Sequence, residues 1–98
     1  MRPSKILLAD DDPAYVAAIE RELLGAGYQV RRAADGVEVL ESLRKEVPDV
    51  LVLDLVLPRL GGDAIFSMIR KDPSLSHLPI VILSGVLAER DSAGPLAG

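Results

Sequence analysis

The sequence predicts an α/β fold built on a parallel sheet, and three observations carry that expectation. Short apolar runs alternate with stretches of helical spacing along most of the chain. The runs lack polar alternation, which suits strands covered on both faces. Residues that start and stop helices stand between the two kinds of segment. The 98 residues suffice for one domain with one core, so residues 1–98 are read as a single domain whose last residues, 93–98 (AGPLAG), form an irregular tail.

The first strand is expected at Ile6–Ala9. Asp12 then caps a helix and Pro13 takes its first position, where a missing N–H costs nothing. Val16, Ile19 and Leu23 form the apolar stripe of that helix, with Glu20, Arg21 and Glu22 largely on the other side and Gly25 and Gly27 ending it. A weaker strand is expected at Tyr28–Val30, with Ala33 and Ala34 beyond it. Asp35, with Glu38 three residues on, has the spacing of a capping box and opens a second helix. Its stripe is Val37, Leu40 and Leu43, and Pro48 lies beyond its end. The third strand is Val50–Leu53. A third helix is expected from about Gly62 to Lys71, with Ile65, Met68 and Ile69 inward, closed by Asp72-Pro73. The fourth strand is Ile80–Leu83, and a weaker helix is expected after Gly85, around Leu87–Ser92. The pattern β-α-β-α-β-α-β-(α) implies parallel strands joined by right-handed crossovers.

Composition removes several functions. Two Tyr, one Phe and no Trp leave no aromatic platform for single-stranded nucleic acid, and a net charge of −4 gives no basic footprint. With no Cys and a single His77, thiolate and His-rich zinc sites are excluded. No apolar run at the N-terminus is long enough for a signal peptide or a membrane span, so a soluble, cytoplasmic protein with no membrane partner is expected.

What remains is a set of carboxylates. In a parallel sheet the carboxyl ends of all strands share one edge, and sites form there. The first strand runs into Asp10-Asp11-Asp12, the third into Asp54, and the fourth into Ser84-Gly85. Each has a plainer use alone: Asp12 as a helix cap, Asp10-Asp11 as a solvated loop, Asp54 as a strand-end cap, Ser84-Gly85 as a turn. Together, two unit charges 4 Å apart repel by about 4 kcal/mol at an effective dielectric of ~20. A cation between them, or a proton on one, relieves that cost. Oxygen ligands without His or Cys select a hard cation, Mg²⁺ first. Mg²⁺ would also screen an incoming phosphoryl group, allowing a carboxylate to attack phosphorus.

KILLADDDP (Lys5–Pro13), LVLDLVLPRLGG (Leu51–Gly62) and PIVILSG (Pro79–Gly85) closely resemble the receiver domain of two-component response regulators, over essentially the whole chain to about residue 92. The resemblance implies a flavodoxin-like sheet with strand order 2-1-3-4. It implies Asp54 as the phosphoacceptor, and Asp10, Asp11, Asp54 and the Val56 backbone carbonyl as ligands of Mg²⁺. Ser84 would donate a hydrogen bond to the phosphoryl group. Pro58 and Gly61-Gly62 would shape the loop after the third strand. The implied partner is a histidine kinase or histidine phosphotransfer protein. Such a domain is not an enzyme in its own right, although it takes part in its own phosphorylation. The positions two residues beyond Asp54 and Ser84, which in the family help to align hydrolytic water, are Val56 and Val86, so slow loss of the phosphoryl group is expected.

The family also carries a fifth strand, bearing a Lys that pairs with the phosphoryl group and a switch aromatic, and a fifth helix. The sequence stops at Gly98 before that region, so a C-terminally truncated receiver, or a fragment of a longer regulator, is expected. Lys5 falls at the opposite edge, and Arg59 is the nearest cation along the chain to Asp54. Without a fifth strand, the fourth presents an apolar edge, and a homo-oligomer through that edge or by swapping is expected. The alternative function is a pseudo-receiver, an interaction or dimerisation module without productive phosphorylation. A haloacid-dehalogenase-type enzyme needs DxD, where this chain has Val56. A nucleotide-binding domain needs a GxGxxG or GxxxxGK[ST] element, which is absent.

Overall fold

The computed structural model describes residues 4–83. They form β1 (Lys5–Ala9), α1 (Pro13–Gly25), β2 (Gln29–Ala33), α2 (Gly36–Lys45), β3 (Val50–Asp54), α3 (Gly62–Lys71) and β4 (Ile80–Leu83). The four strands make one parallel sheet in the order β2-β1-β3-β4. That is the expected α/β architecture and order. No described helix is long and apolar enough to cross a membrane. Ser84, Val86, the helix expected around residues 87–92 and the tail 93–98 lie outside the described residues.

Register puts Leu7 beside Leu51, and Leu51 beside Ile80, so one face of the sheet carries a continuous apolar band. Leu7, Ala9, Leu51 and Leu53 pack there with Val39 and Leu43 of α2 and Ile65 and Ile69 of α3. Alternation sends Ile6 and Leu8 to the opposite face. The arginines of β2 identify which helix covers which face. Arg32, beside Leu8 in register, pairs with Glu20 of α1, and Arg31, beside Leu7, donates to the Glu46 carbonyl just beyond α2 at 2.7 Å. Glu20 is thus half-buried against the sheet rather than on the outer side with Arg21 and Glu22. β1 opens at the far edge, where the Lys5 N–H donates to Asp49 at 2.7 Å and its ammonium pairs with Glu46.

The caps form where the sequence places them. Asp12 accepts from the N–H groups of Ala14 and Tyr15 at 3.1 and 3.3 Å. At the other end of α1, Gly27 adopts φ 96°, its N–H donates to Leu24 O, and the Tyr28 N–H donates to Leu23 O. This is a Schellman ending, and a side chain at Gly27 would be strained. Asp35 Oδ1 accepts from the Glu38 N–H at 2.9 Å, while Glu38 Oε1 accepts from Ala34, one residue before the cap, rather than from Asp35 itself.

Three expectations shift. β2 runs to Ala33 and excludes Tyr28, because an edge strand tolerates Arg31 and Arg32 that a central strand would not. In α2 the fully buried residue is Val39, with Val37 only half-buried. In α3 Met68 is 46% exposed, because Ile65 and Ile69 already fill the contact with the sheet. β4 remains partly open, with Val81 and Ile82 at 52% and 37% exposure. Truncating Ile69 to Ala should cost about 2–5 kcal/mol, whereas Met68→Ala should cost less than about 1 kcal/mol, both read from urea unfolding midpoints. Equal losses would place Met68 in the core after all.

Candidate functional site

The parallel sheet brings residues 44 positions apart to one rim. β1 and β3 are adjacent, with Ala9 opposite Leu53, so the residues that follow, Asp10 and Asp54, emerge side by side. Asp10, Asp11 and Asp54 each offer a carboxylate oxygen, and these oxygens lie within 4.8 Å of one another. Asp12, next in the chain, is turned to the α1 N-terminus by its capping bonds and stands outside that group.

Each carboxylate is held differently. Asp10 is 7% exposed. Its N–H continues the β1–β2 ladder by donating to Ala33 O at 3.1 Å, and its Oδ1 accepts from the Asp12 N–H at 2.9 Å. Asp54 is half-buried, and its Oδ1 accepts from the Val56 N–H at 3.0 Å. Asp11 is exposed. Val56 lies on the loop immediately after Asp54, with its side chain 57% exposed.

Burial pushes the Asp10 carboxyl above the ordinary carboxylate range. The Asp12 N–H opposes that shift, and the neighbouring charges of Asp54, Asp11 and Asp12 reinforce it. The folded, metal-free chain therefore retains a proton that the unfolded chain has released. It does so only between the two values: stability falls as pH rises through that window and is level above it, where both forms are ionised.

Backbone contact fixes Asp54 in depth. The Gly62 N–H donates to Leu55 O at 3.0 Å, and a Cβ built on Gly62 would lie 2.1 Å from Asp54 O. No other residue lets α3 begin so close to the end of β3. Leu57, at 7% exposure, inserts into the core and pins the middle of the intervening loop.

Of the positions singled out in the sequence, Asp10, Asp11 and Asp54 converge and Val56 adjoins them. Ser84 lies beyond the described residues. Arg59 is engaged elsewhere: its Nη2 sits 2.8 Å from Asp35 Oδ2 at the α2 N-terminus. Asp35 and Gly36 were not singled out as site residues. The Asp-Gly pair at a helix start was the available signal, but its contact with the loop after β3 is purely tertiary.

The donor set fits a small hard cation. It offers carboxylate oxygens only, on a rigid rim, with both Asp10 and Asp54 already oriented by backbone N–H groups.

A family model described as the response regulator receiver domain matches residues 6–94. The chain is 41% identical over 80 residues to the response regulator MprA of Mycobacterium leprae, covering 82% of this chain and 34% of that protein. It spans about a third or less of the length of the curated relatives it matches. Among solved structures, it overlays on the phosphorylated cyanobacterial phytochrome response regulator RcpA with a TM-score of 0.82 at 31% identity, over 93% of this chain and 71% of that one. It overlays equally, at 0.82 and 29% identity, on the receiver domain of the sensor histidine kinase PA1611 from Pseudomonas aeruginosa PAO1, over 97% of this chain and 78% of that one. The PA1611 structure has a magnesium ion coordinated in its active-site cleft.

Asp10→Asn should stabilise the metal-free chain at neutral pH by about 0.5–2 kcal/mol, read from urea unfolding, because the amide keeps the bond from Asp12 and removes one crowded charge. If the cluster holds a divalent cation, the same substitution should weaken its binding at least tenfold by calorimetry, since it would remove an anionic oxygen ligand. A less stable Asp10→Asn protein would contradict the repulsion argument.

Proposed function

The chain belongs to the response regulator receiver domain family, and we propose that it accepts a phosphoryl group on Asp54 from a histidine kinase or histidine phosphotransfer protein, with Mg²⁺ held by Asp10, Asp11, Asp54 and the Val56 carbonyl. The observation that carries this reading is the convergence of three carboxylates within 4.8 Å at the carboxyl rim of the sheet. The magnesium ion in the PA1611 receiver supports the choice of metal.

Asp54 Oδ1 accepts from the Val56 N–H, which leaves Oδ2 the freer oxygen to act as the nucleophile. Oδ2 forms a P–O bond as the P–N bond of the donor phosphohistidine breaks, giving an acyl phosphate on Asp54. The departing imidazole nitrogen keeps the electron pair and takes up a proton. Mg²⁺, when bound, supplies charge neutralisation between the carboxylates and the phosphoryl oxygens. The chain's own contribution is position. Asp10 and Asp11 set the cation beside Asp54, and the Gly62 contact holds the Asp54 backbone in place. Ser84 is assigned the hydrogen bond to a phosphoryl oxygen. In this reading the domain acts as substrate and partner of a kinase rather than as an enzyme.

A second reading, an interaction module without productive phosphorylation, is favoured by one feature: the apolar exposure of Val81 and Ile82 on β4. A second copy paired through that edge, or exchanging elements, would cover it.

Incubation with acetyl phosphate and Mg²⁺ should add one phosphoryl mass to the intact chain, and Asp54→Asn should abolish the adduct. With apolar Val56 beside the site, the adduct should persist, and Val56→Asn should shorten its life in the same mass series. A folded protein that never gains the adduct overturns the first reading. Light scattering at a dimer mass would then support the second, and a monomer mass would remove it too.

A further inference from the structure

The loop Leu55–Gly61 carries Val56 past the carboxylates, and its far side is tied to α2 by contacts the reading above does not use. Arg59 stands at φ 68°, the left-handed region that disfavours an L side chain. Four contacts surround it. Its Nη2 lies 2.8 Å from Asp35 Oδ2. The Gly36 N–H donates to Pro58 O at 3.3 Å, and the Leu60 N–H donates to the same carbonyl at 2.8 Å. A Cβ on Gly36 would lie 2.0 Å from Leu60 O, so only glycine lets the first turn of α2 press against this loop.

Asp35 is one of two buried acidic residues among those described, the other being Asp10. Both its oxygens are used: Oδ1 caps α2 through the Glu38 N–H at 2.9 Å, and Oδ2 holds Arg59. Its carboxyl is drawn below the ordinary range, first by the Glu38 N–H and then, against some desolvation, by Arg59. The Asp35 carboxylate therefore stays charged across neutral pH. A cap that needed only an oxygen acceptor would be served as well by Asn. The charge strengthens the cap and also supplies the bond to Arg59, which a neutral cap would not.

Resting on the receiver reading, we propose that Asp35 and Arg59 are positioning residues for the cation site: their ion pair ties the first turn of α2 to the loop after Asp54 and so fixes the Val56 backbone beside the carboxylates. Arg59 is then a strut behind the loop, its guanidinium turned to α2.

Calorimetric titration of the full chain with MgCl₂, at fixed low ionic strength, tests this with Asp35→Asn, Arg59→Gln, the double variant and Arg59→Lys. Asn keeps the capping oxygen, so the helix start is retained while the ion pair is lost. Through-space charge alone predicts opposite signs: losing Arg59 should tighten Mg²⁺ and losing Asp35 should weaken it. The strut predicts that both weaken it, by about tenfold, as outer-sphere supports of metal ligands do. It also predicts that the double variant is no weaker than either single one, and that Lys recovers part of the loss. Opposite signs, additive losses or unchanged affinities overturn the proposal. Thermal unfolding verifies that each variant is folded, and Arg59→Gly, suited to the left-handed backbone, replaces Arg59→Gln if that chain is not. A wild-type chain that takes no Mg²⁺, or whose binding survives Asp10→Asn, overturns the cation reading and this inference with it. Wild-type binding that is lost in Asp10→Asn but untouched by the ion pair overturns this inference alone.

Discussion

Mutual repulsion among Asp10, Asp11 and Asp54 is the constraint around which the rest of this structure is arranged. Three carboxylate oxygens within 4.8 Å form a costly arrangement in a chain that already carries a net charge of −4. A fold selected only for stability would separate them. Here the apolar parts hold them together: the sheet core of Leu7, Leu8, Leu51 and Leu53 is fully buried and allows the strand ends no lateral freedom. Backbone N–H groups at Asp12 and Val56 then take up one oxygen each of Asp10 and Asp54, which orients the remaining oxygens. Burial energy in the sheet thus offsets electrostatic strain at its rim, and in the proposed function a hard divalent ion would relieve it.

Glycine contacts transmit the core's rigidity to the loop that borders the site. Gly62 brings α3 against the backbone of Asp54, and Gly36 brings α2 against Leu60. Two helices therefore buttress one short loop from two directions, with Leu57 anchoring its middle. The helices cover the sheet, and their N-termini also set where the loop can lie. This ties packing, which the whole domain needs, to the geometry of a few backbone atoms beside Asp54.

Much of this was legible in the sequence, and the reasons differ by element. Unbroken apolar runs marked β1 and β3 because buried parallel strands need no polar face, and they marked β4 although its side chains stay partly open. Asp12-Pro13 and Asp35 marked helix starts because the first-turn N–H groups require acceptors. β2 was read too short because Arg31 and Arg32 interrupt its apolar pattern, and only the tertiary structure shows each arginine meeting a partner, Glu46 or Glu20, on its own face. Met68 has the right helical spacing to be inward, yet it stands 46% exposed on the cleft that Leu40, Leu43 and Val47 also line. The acid cluster could be assembled on paper because parallel strands share a carboxyl edge. The Asp35–Arg59 tie could not, since an arginine in the left-handed region carries no local signature and its partner lies on another element.

In the proposed function, a bound divalent ion would relieve the crowding of carboxylates at the rim. The thermal unfolding midpoint of the full chain, followed against MgCl₂ with NaCl matched for ionic strength, tests it most directly. The midpoint should climb and then follow the logarithm of Mg²⁺ concentration, reaching about 2.7 kcal/mol of added stability at a hundredfold excess over the dissociation constant, while NaCl does far less. Identical curves for the two salts would show that the crowded carboxylates bind no ion specifically, and the account would be wrong.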